Sequence, residues 1–132
     1  MSSNIHVVRI AVFSRAGDVL LLRRSGTDRW KPYHWNLPGG KVDLGEDPVL
    51  TAERELAEES GLFIPGNLLQ HRFDVTVGGR TTRIFAALIP FPVPASGSDG
   101  EHDLFTWASL TKLPDPLIPG TQEILASLSI PM

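Results

Sequence analysis

Hydrophobic positions along the chain fall into short runs separated by turn residues. Residues 7–13 (VVRIAVF) are rich in β-branched side chains and predict a strand. Ala16-Gly17-Asp18 then turns the chain into a second apolar strand at residues 19–22, as a hairpin. Residues 25–34 are polar and aromatic with Pro32 among them, which predicts a loop. Residues 35–37 form a short extended piece stopped by Pro38-Gly39-Gly40. The helix that follows is clearly punctuated: Asp47 can cap its free N–H groups, Pro48 suits its first position and Gly61 can adopt the left-handed conformation past its end. Segments 72–77 and 80–89, joined by Gly78-Gly79, predict a second hairpin with a two-residue turn. Residues 90–100 form a Pro-rich loop, 105–108 one more strand, and 121–128 a closing helix. The fold class expected is α+β, an α/β/α sandwich with a mixed sheet flanked by helices.

Composition narrows the setting. A chain of 132 residues has room for one domain spanning residues 1–132. Its 42% hydrophobic and 20% charged content is ordinary for a globular fold. No apolar run reaches the length of a membrane span, and the first six residues lack the layout of a secretory signal. With no cysteine there is no disulfide framework and no thiolate ligand or nucleophile. A net charge of −3 provides no general attraction for nucleic acid. The expectation is a cytoplasmic protein with no membrane or nucleic-acid polymer partner, a homodimer being left open.

The chemistry concentrates in residues 40–62, GKVDLGEDPVLTAERELAEESGL. At about 100° per residue, Val49, Ala52 and Leu56 make an apolar stripe, while Glu55, Glu58 and Glu59 share an adjacent face. Like charges at such spacings destabilise a helix by a few tenths of a kcal/mol per pair. A divalent cation would remove that repulsion, and Mg²⁺ is commonly shared between protein carboxylates and substrate phosphates. A solvated acidic face balanced by Arg54 and Lys41 is the competing explanation. Pro38-Gly39-Gly40 lets backbone approach the carboxylates, with a glycine carbonyl as an additional hard ligand, and Glu46 can reach back to Arg54.

Gly40, five residues, Glu46, seven residues, Arg54-Glu55-Leu56, one residue, Glu58-Glu59, one residue, Gly61-Leu62 resembles the Nudix hydrolase signature without a departure. The resemblance implies hydrolysis of a nucleoside diphosphate linked to another group, with Mg²⁺ as cofactor and Mn²⁺ as a substitute. It implies Glu55 and Glu59 as the main metal carboxylates, Glu58 assisting, and the Gly40 carbonyl and Glu101 as further ligands. Glu55 would receive a proton from the attacking water, with Glu58, Glu101 and His102 as alternatives, and Arg54 would orient Glu55. Glu46 and Gly61 take structural roles within the signature.

Outside the signature, Leu21-Leu22-Arg23-Arg24 resembles a MutT-type strand end, which makes Arg24 a phosphate-binding candidate. Trp35-Asn36 before the glycines resembles the oxidised-purine nucleotide hydrolases of animals, so Asn36 is a candidate for reading the base through an amide that offers both donor and acceptor. Trp30 is a candidate for base stacking, whereas Trp35 reads as core. His6, His34 and His71 have no ligand-like spacing. The expected substrate is a small nucleotide, an NTP or modified dNTP cleaved to monophosphate and pyrophosphate. Hydrolysis of a nucleotide sugar or another diphosphate conjugate is the alternative. A non-catalytic nucleotide sensor and an RNA-end hydrolase rank lower, the first because the signature glutamates are intact and the second because there is no dense Lys/Arg stretch.

Overall fold

A computed structural model describes residues 4–95 and 100–128. In chain order it contains β1 (Val7–Ser14), β2 (Asp18–Arg24), β3 (Trp35–Asn36), β4 (Gly39–Lys41), α1 (Pro48–Ser60), a 3₁₀ turn (Gly66–Leu68), β5 (Gln70–Val77), β6 (Arg80–Ile89), β7 (His102–Ser109) and α2 (Thr121–Ser127). The strands form a seven-stranded sheet whose main path runs β3-β2-β1-β6-β5, with β4 paired to β1 and β7 to β2. It is mixed: β1 lies parallel to β6 over its whole length, and the other pairings are antiparallel.

Both faces of β1 are covered, which explains why its sequence is a near-continuous apolar run. Val8, Ile10 and Val12 join Ala52 and Leu56 of α1 with Phe85 and Ala87 of β6 in one core layer. Ala11 and Phe13 point the other way, joining Val19, Leu21, Leu37, Ala86 and Leu125 of α2. The helices thus sandwich the sheet, as the α+β reading expects. Val49 is only partly buried at the edge of the first layer. Among the described residues no helix is long and apolar enough to cross a membrane.

Local signals mostly act where the sequence puts them. The Asp47 carboxylate accepts a hydrogen bond from the Val49 N–H at 3.0 Å, Pro48 opens α1, and Gly61 closes it with φ 76°. Gly78 and Gly79 take φ of 59° and 76°, the pair of positive values that a tight hairpin needs. One expectation is corrected. Gly39-Gly40 does not merely stop an extended segment; with Lys41 it forms β4, antiparallel to β1 with Arg9 opposite Gly39 and Val8 opposite Gly40. Small residues there admit backbone between β1 and α1, a tertiary advantage that composition alone disguises as a turn. The 3₁₀ turn is held from α1, where Glu53 accepts the Gly66 N–H at 2.9 Å.

The loop entering α1 is latched to the helix. Glu46 accepts from Arg54 Nη2 at 3.1 Å and Nε at 3.3 Å, and from the Thr51 hydroxyl at 2.7 Å. These contacts, Arg54 first and Thr51 second, pull the Glu46 carboxyl down to about 2. A carboxyl whose folded value lies below its ordinary 4.5 stabilises the fold above that pH, and the contribution fades as pH falls toward about 2. Glu46→Gln is therefore expected to melt lower than wild type at pH 7, with the difference closing between about pH 4.5 and about pH 2. Asp47→Ala, which removes the cap of α1, should cost about 1 kcal/mol in urea unfolding at neutral pH.

Candidate functional site

The acidic face of α1 meets the glycine strand at very close range. A Cβ placed on Gly40 would lie 2.5 Å from the Glu55 carboxyl carbon, and one on Gly39 would lie 2.0 Å from the Val8 carbonyl oxygen. Neither position tolerates a side chain as packed. One turn along α1, buried Glu59 accepts the Gly39 N–H at 2.7 Å. The helix therefore presents two carboxylates to a glycine backbone, where a side chain at Gly39 would strike β1 and one at Gly40 would displace Glu55.

β7 contributes the opposite wall. Ligand atoms of Glu59, Glu101 and His102 lie within 4.8 Å of one another, and His102 Nδ1 stands 4.0 Å from a Glu59 oxygen. Strand pairing sets this up: β7 runs antiparallel to β2, with His102 opposite Arg24 beside a register shift, and Ser25 N–H donates to the Glu101 carbonyl at 2.8 Å.

Arg54 organises the outer side. Besides Glu46 it donates to Glu55 at 3.2 Å and to Glu58 at 3.4 Å. Glu58 points outward with 53% of its side chain exposed, whereas Glu55 retains 17%. Burial pushes the Glu55 carboxyl above the ordinary carboxylate range; Arg54 opposes the shift, and Glu58 and Glu101 add to it. Arg54 itself is raised, chiefly by its bond to Glu46. The donor set of Glu55, Glu59 and Glu101 is hard, anionic and crowded, which suits a divalent cation such as Mg²⁺ or Mn²⁺.

A cavity of about 890 Å³ opens between the sheet and α2. Val7 and Arg9 of β1, Phe73 and Val75 of β5, and Ile118 and Ile124 near α2 are among its lining residues, and Gly40 borders it on the acidic side. Asn36 and Trp30 also line it. The asparagine differs from the expectation of a free donor and acceptor. Its Oδ1 accepts the Leu37 N–H at 2.8 Å and the Thr121 hydroxyl at 3.4 Å, so the amide presents only its nitrogen as a further donor. Trp30 is 54% exposed and stacks under the Arg24 guanidinium at 5.1 Å. Arg24 is ion-paired with Asp28 and donates to the Trp30 carbonyl at 2.9 Å, so it braces the loop. Trp35 packs against the α2-side core. His6, His34 and His71 bond locally or to neighbouring strands, away from the acidic cluster.

Sequence reasoning passed over Arg9. The signal was available in the strand period, which puts Arg9 on the same face as Ala11 and Phe13, an arginine in line with core residues. Lys41 and Arg80 line the cavity as well.

Comparison with known proteins agrees with this architecture. The curated relatives include an RNA pyrophosphohydrolase of Mesorhizobium japonicum, 28% identical over 112 residues covering 68% of this chain and 65% of that protein. Another RNA pyrophosphohydrolase, from Azorhizobium caulinodans, is 31% identical over 114 residues, 74% of this chain and 64% of the relative. The chain thus spans less than two thirds of the length of these two relatives. Among solved structures, a MutT NUDIX hydrolase from Burkholderia pseudomallei superposes with a TM-score of 0.73 at 25% identity, over 92% of this chain and 98% of that one. The NUDIX domain family model matches residues 4–128, the acidic helix and the cavity-lining strands included, and the chain belongs to the Nudix family.

Proposed function

We propose that this protein is a divalent-metal-dependent pyrophosphohydrolase that cleaves a nucleoside triphosphate to monophosphate and pyrophosphate. The observation that carries this reading is the meeting of Glu55 and Glu59 with the glycine strand, opposite Glu101 and His102, with Gly40 shared between that site and the lining of a cavity of about 890 Å³. Glu55, Glu59 and Glu101 would hold the cation, with the Gly40 carbonyl as a further hard ligand. Bound Mg²⁺ would supply charge neutralisation for the diphosphate oxygens, the main requirement of phosphoryl chemistry.

The residues of the chain supply the rest. Water adds to phosphorus in line with the departing phosphate oxygen, so one P–O bond forms as another breaks and one proton must leave the water. Glu55 takes that proton, its carboxylate held in place by Arg54. A base of this kind contributes about 10²–10⁴ in rate. Glu46 acts through Arg54, fixing the guanidinium from behind. Glu58, largely exposed, modulates the charge of the group from outside.

A second reading is removal of pyrophosphate from a 5′-triphosphorylated RNA end. It is favoured by the names of the curated relatives, and the reacting bond is the same. Against it stands the net charge of −3, which gives a polymer backbone little general attraction.

Glu55→Gln should lower kcat by about 10²–10⁴ while leaving the thermal melt near that of wild type. Glu59→Gln should weaken Mn²⁺ binding measured by electron paramagnetic resonance and abolish most turnover; unaltered Mn²⁺ affinity would take Glu59 out of the metal site. Anion-exchange analysis of products from NTPs, dNTPs and a triphosphorylated oligonucleotide should show monophosphate plus pyrophosphate from a mononucleotide. A kcat/KM confined to the oligonucleotide would transfer the assignment to the RNA end.

A further inference from the structure

The unexplained group in the cavity is Arg9. Among the described residues its guanidinium makes one hydrogen bond, Nη1 donating to the Leu37 carbonyl at 3.1 Å, and no carboxylate comes within ion-pairing distance. Burial pulls its pKa below the ordinary arginine value, the more distant Glu59 being the largest opposing influence. Among the described residues no sealed side-chain nitrogen or oxygen lacks a partner, so the remaining donors of Arg9 open into the cavity that it lines. A half-buried cation without a counter-ion is costly, and Arg9 occupies a strand position whose neighbours on the same face, Ala11 and Phe13, are core residues.

A second donor faces the same space. The Leu37 N–H can be donated only to an oxygen, which fixes the Asn36 amide with Oδ1 turned inward. Its nitrogen, without a hydrogen bond among the described residues and likewise not sealed, is left to the cavity. The walls between which these donors project are apolar, with Phe73 and Val75 on the sheet side and Ile118 on the other. Such a slot takes a flat ring, and its polar groups are donors in search of acceptors.

We propose that Arg9 is a specificity-determining residue whose fork reads two adjacent acceptors on the edge of the substrate base, selecting 6-oxopurine nucleotides over 6-aminopurine ones. A guanine edge offers O6 and N7, the pair that arginine engages with two hydrogen bonds, whereas adenine replaces O6 with an N–H donor. A donor facing a donor in an enclosed site leaves both unpaired, which is why sites built on hydrogen bonds discriminate strongly. The proposal deepens the pyrophosphohydrolase reading and rests on it for the identity of the substrate as a nucleotide.

Binding of GMP, IMP and AMP to the intact protein, measured calorimetrically without metal, tests the base pocket apart from hydrolysis. Wild type should bind GMP and IMP about 5- to 150-fold more tightly than AMP, as expected of one bidentate pair. Arg9→Met should remove that preference by weakening GMP and IMP binding, with no comparable loss for AMP or pyrophosphate, and should raise the melting temperature because an unpaired charge is gone. Arg9→Lys, which keeps the charge without the fork, should also lose most of the preference. Equal or undetectable binding of GMP and AMP to wild type overturns the proposal, as does a preference for GMP that IMP does not share. A uniform loss of GMP, AMP and pyrophosphate binding in Arg9→Met overturns it in favour of a phosphate anchor. Hydrolysis of triphosphates, assayed separately, reports on the parent reading whatever the base preference.

Discussion

The close approach of β4 to α1 is the constraint on which the remaining geometry depends. A β-carbon on Gly39 would stand 2.0 Å from a backbone oxygen of β1, so the strand can pair there only as glycine. That pairing brings the Gly39 N–H to Glu59 and the Gly40 backbone to the Glu55 carboxylate. It also lets one short strand serve both the sheet and the acidic helix face, with Gly40 and Lys41 lining the cavity. A side chain at Gly39 would break the pairing with β1, and one at Gly40 would displace the Glu55 carboxylate.

Electrostatics sets the second condition. Glu55, Glu58 and Glu59 lie on one helical stretch with Glu101 opposite, and among the described residues Arg54 is the cation ion-paired with the first two of them. Arg54 is also shared with Glu46 and more distantly with Asp43, so it cannot neutralise the group. Exposed pairs of this sort each contribute about 0–1 kcal/mol, too little to offset several repulsions. The excess negative charge is a local instability that a bound cation would relieve, consistent with functional sites being built against the stability of the fold.

Much of this was legible in the chain. Asp47, Pro48 and Gly61 delimit α1 because caps act through local backbone groups, and Gly78-Gly79 forms the hairpin because few other residues take two positive φ values. The fixed spacing from Gly40 to Leu62 could be read as a site since helical periodicity puts the carboxylates on one face. What escaped was tertiary. β4 looked like a turn because glycine signals both turns and close packing, and the latter needs a partner that sequence does not name. The commitment of the Asn36 carbonyl to Leu37 and Thr121 depends on a segment 85 residues away. Arg24 and Trp30, candidates for substrate contact, stack on each other, with Arg24 paired to Asp28 and Trp30 lining the cavity, contacts that strand spacing does not reveal.

Arg9 shows how one strand can serve two purposes. β1 alternates with period two, so its even positions fill the α1 layer while its odd positions fill the α2 layer from Ala11 onward. At Arg9 the second layer ends, because α2 is short and begins only at Thr121, and the sheet face runs out from core into cavity. A hydrophobic residue at that position would still face the cavity and add only apolar wall. An arginine there gains no ion-pair partner among the described residues and loses hydration, so its presence is not explained by packing. The acidic cluster and the lone guanidinium are opposite departures from stability on either side of Gly40. A nucleotide, with charged phosphates toward a cation and an acceptor-bearing ring toward Arg9, satisfies both at once.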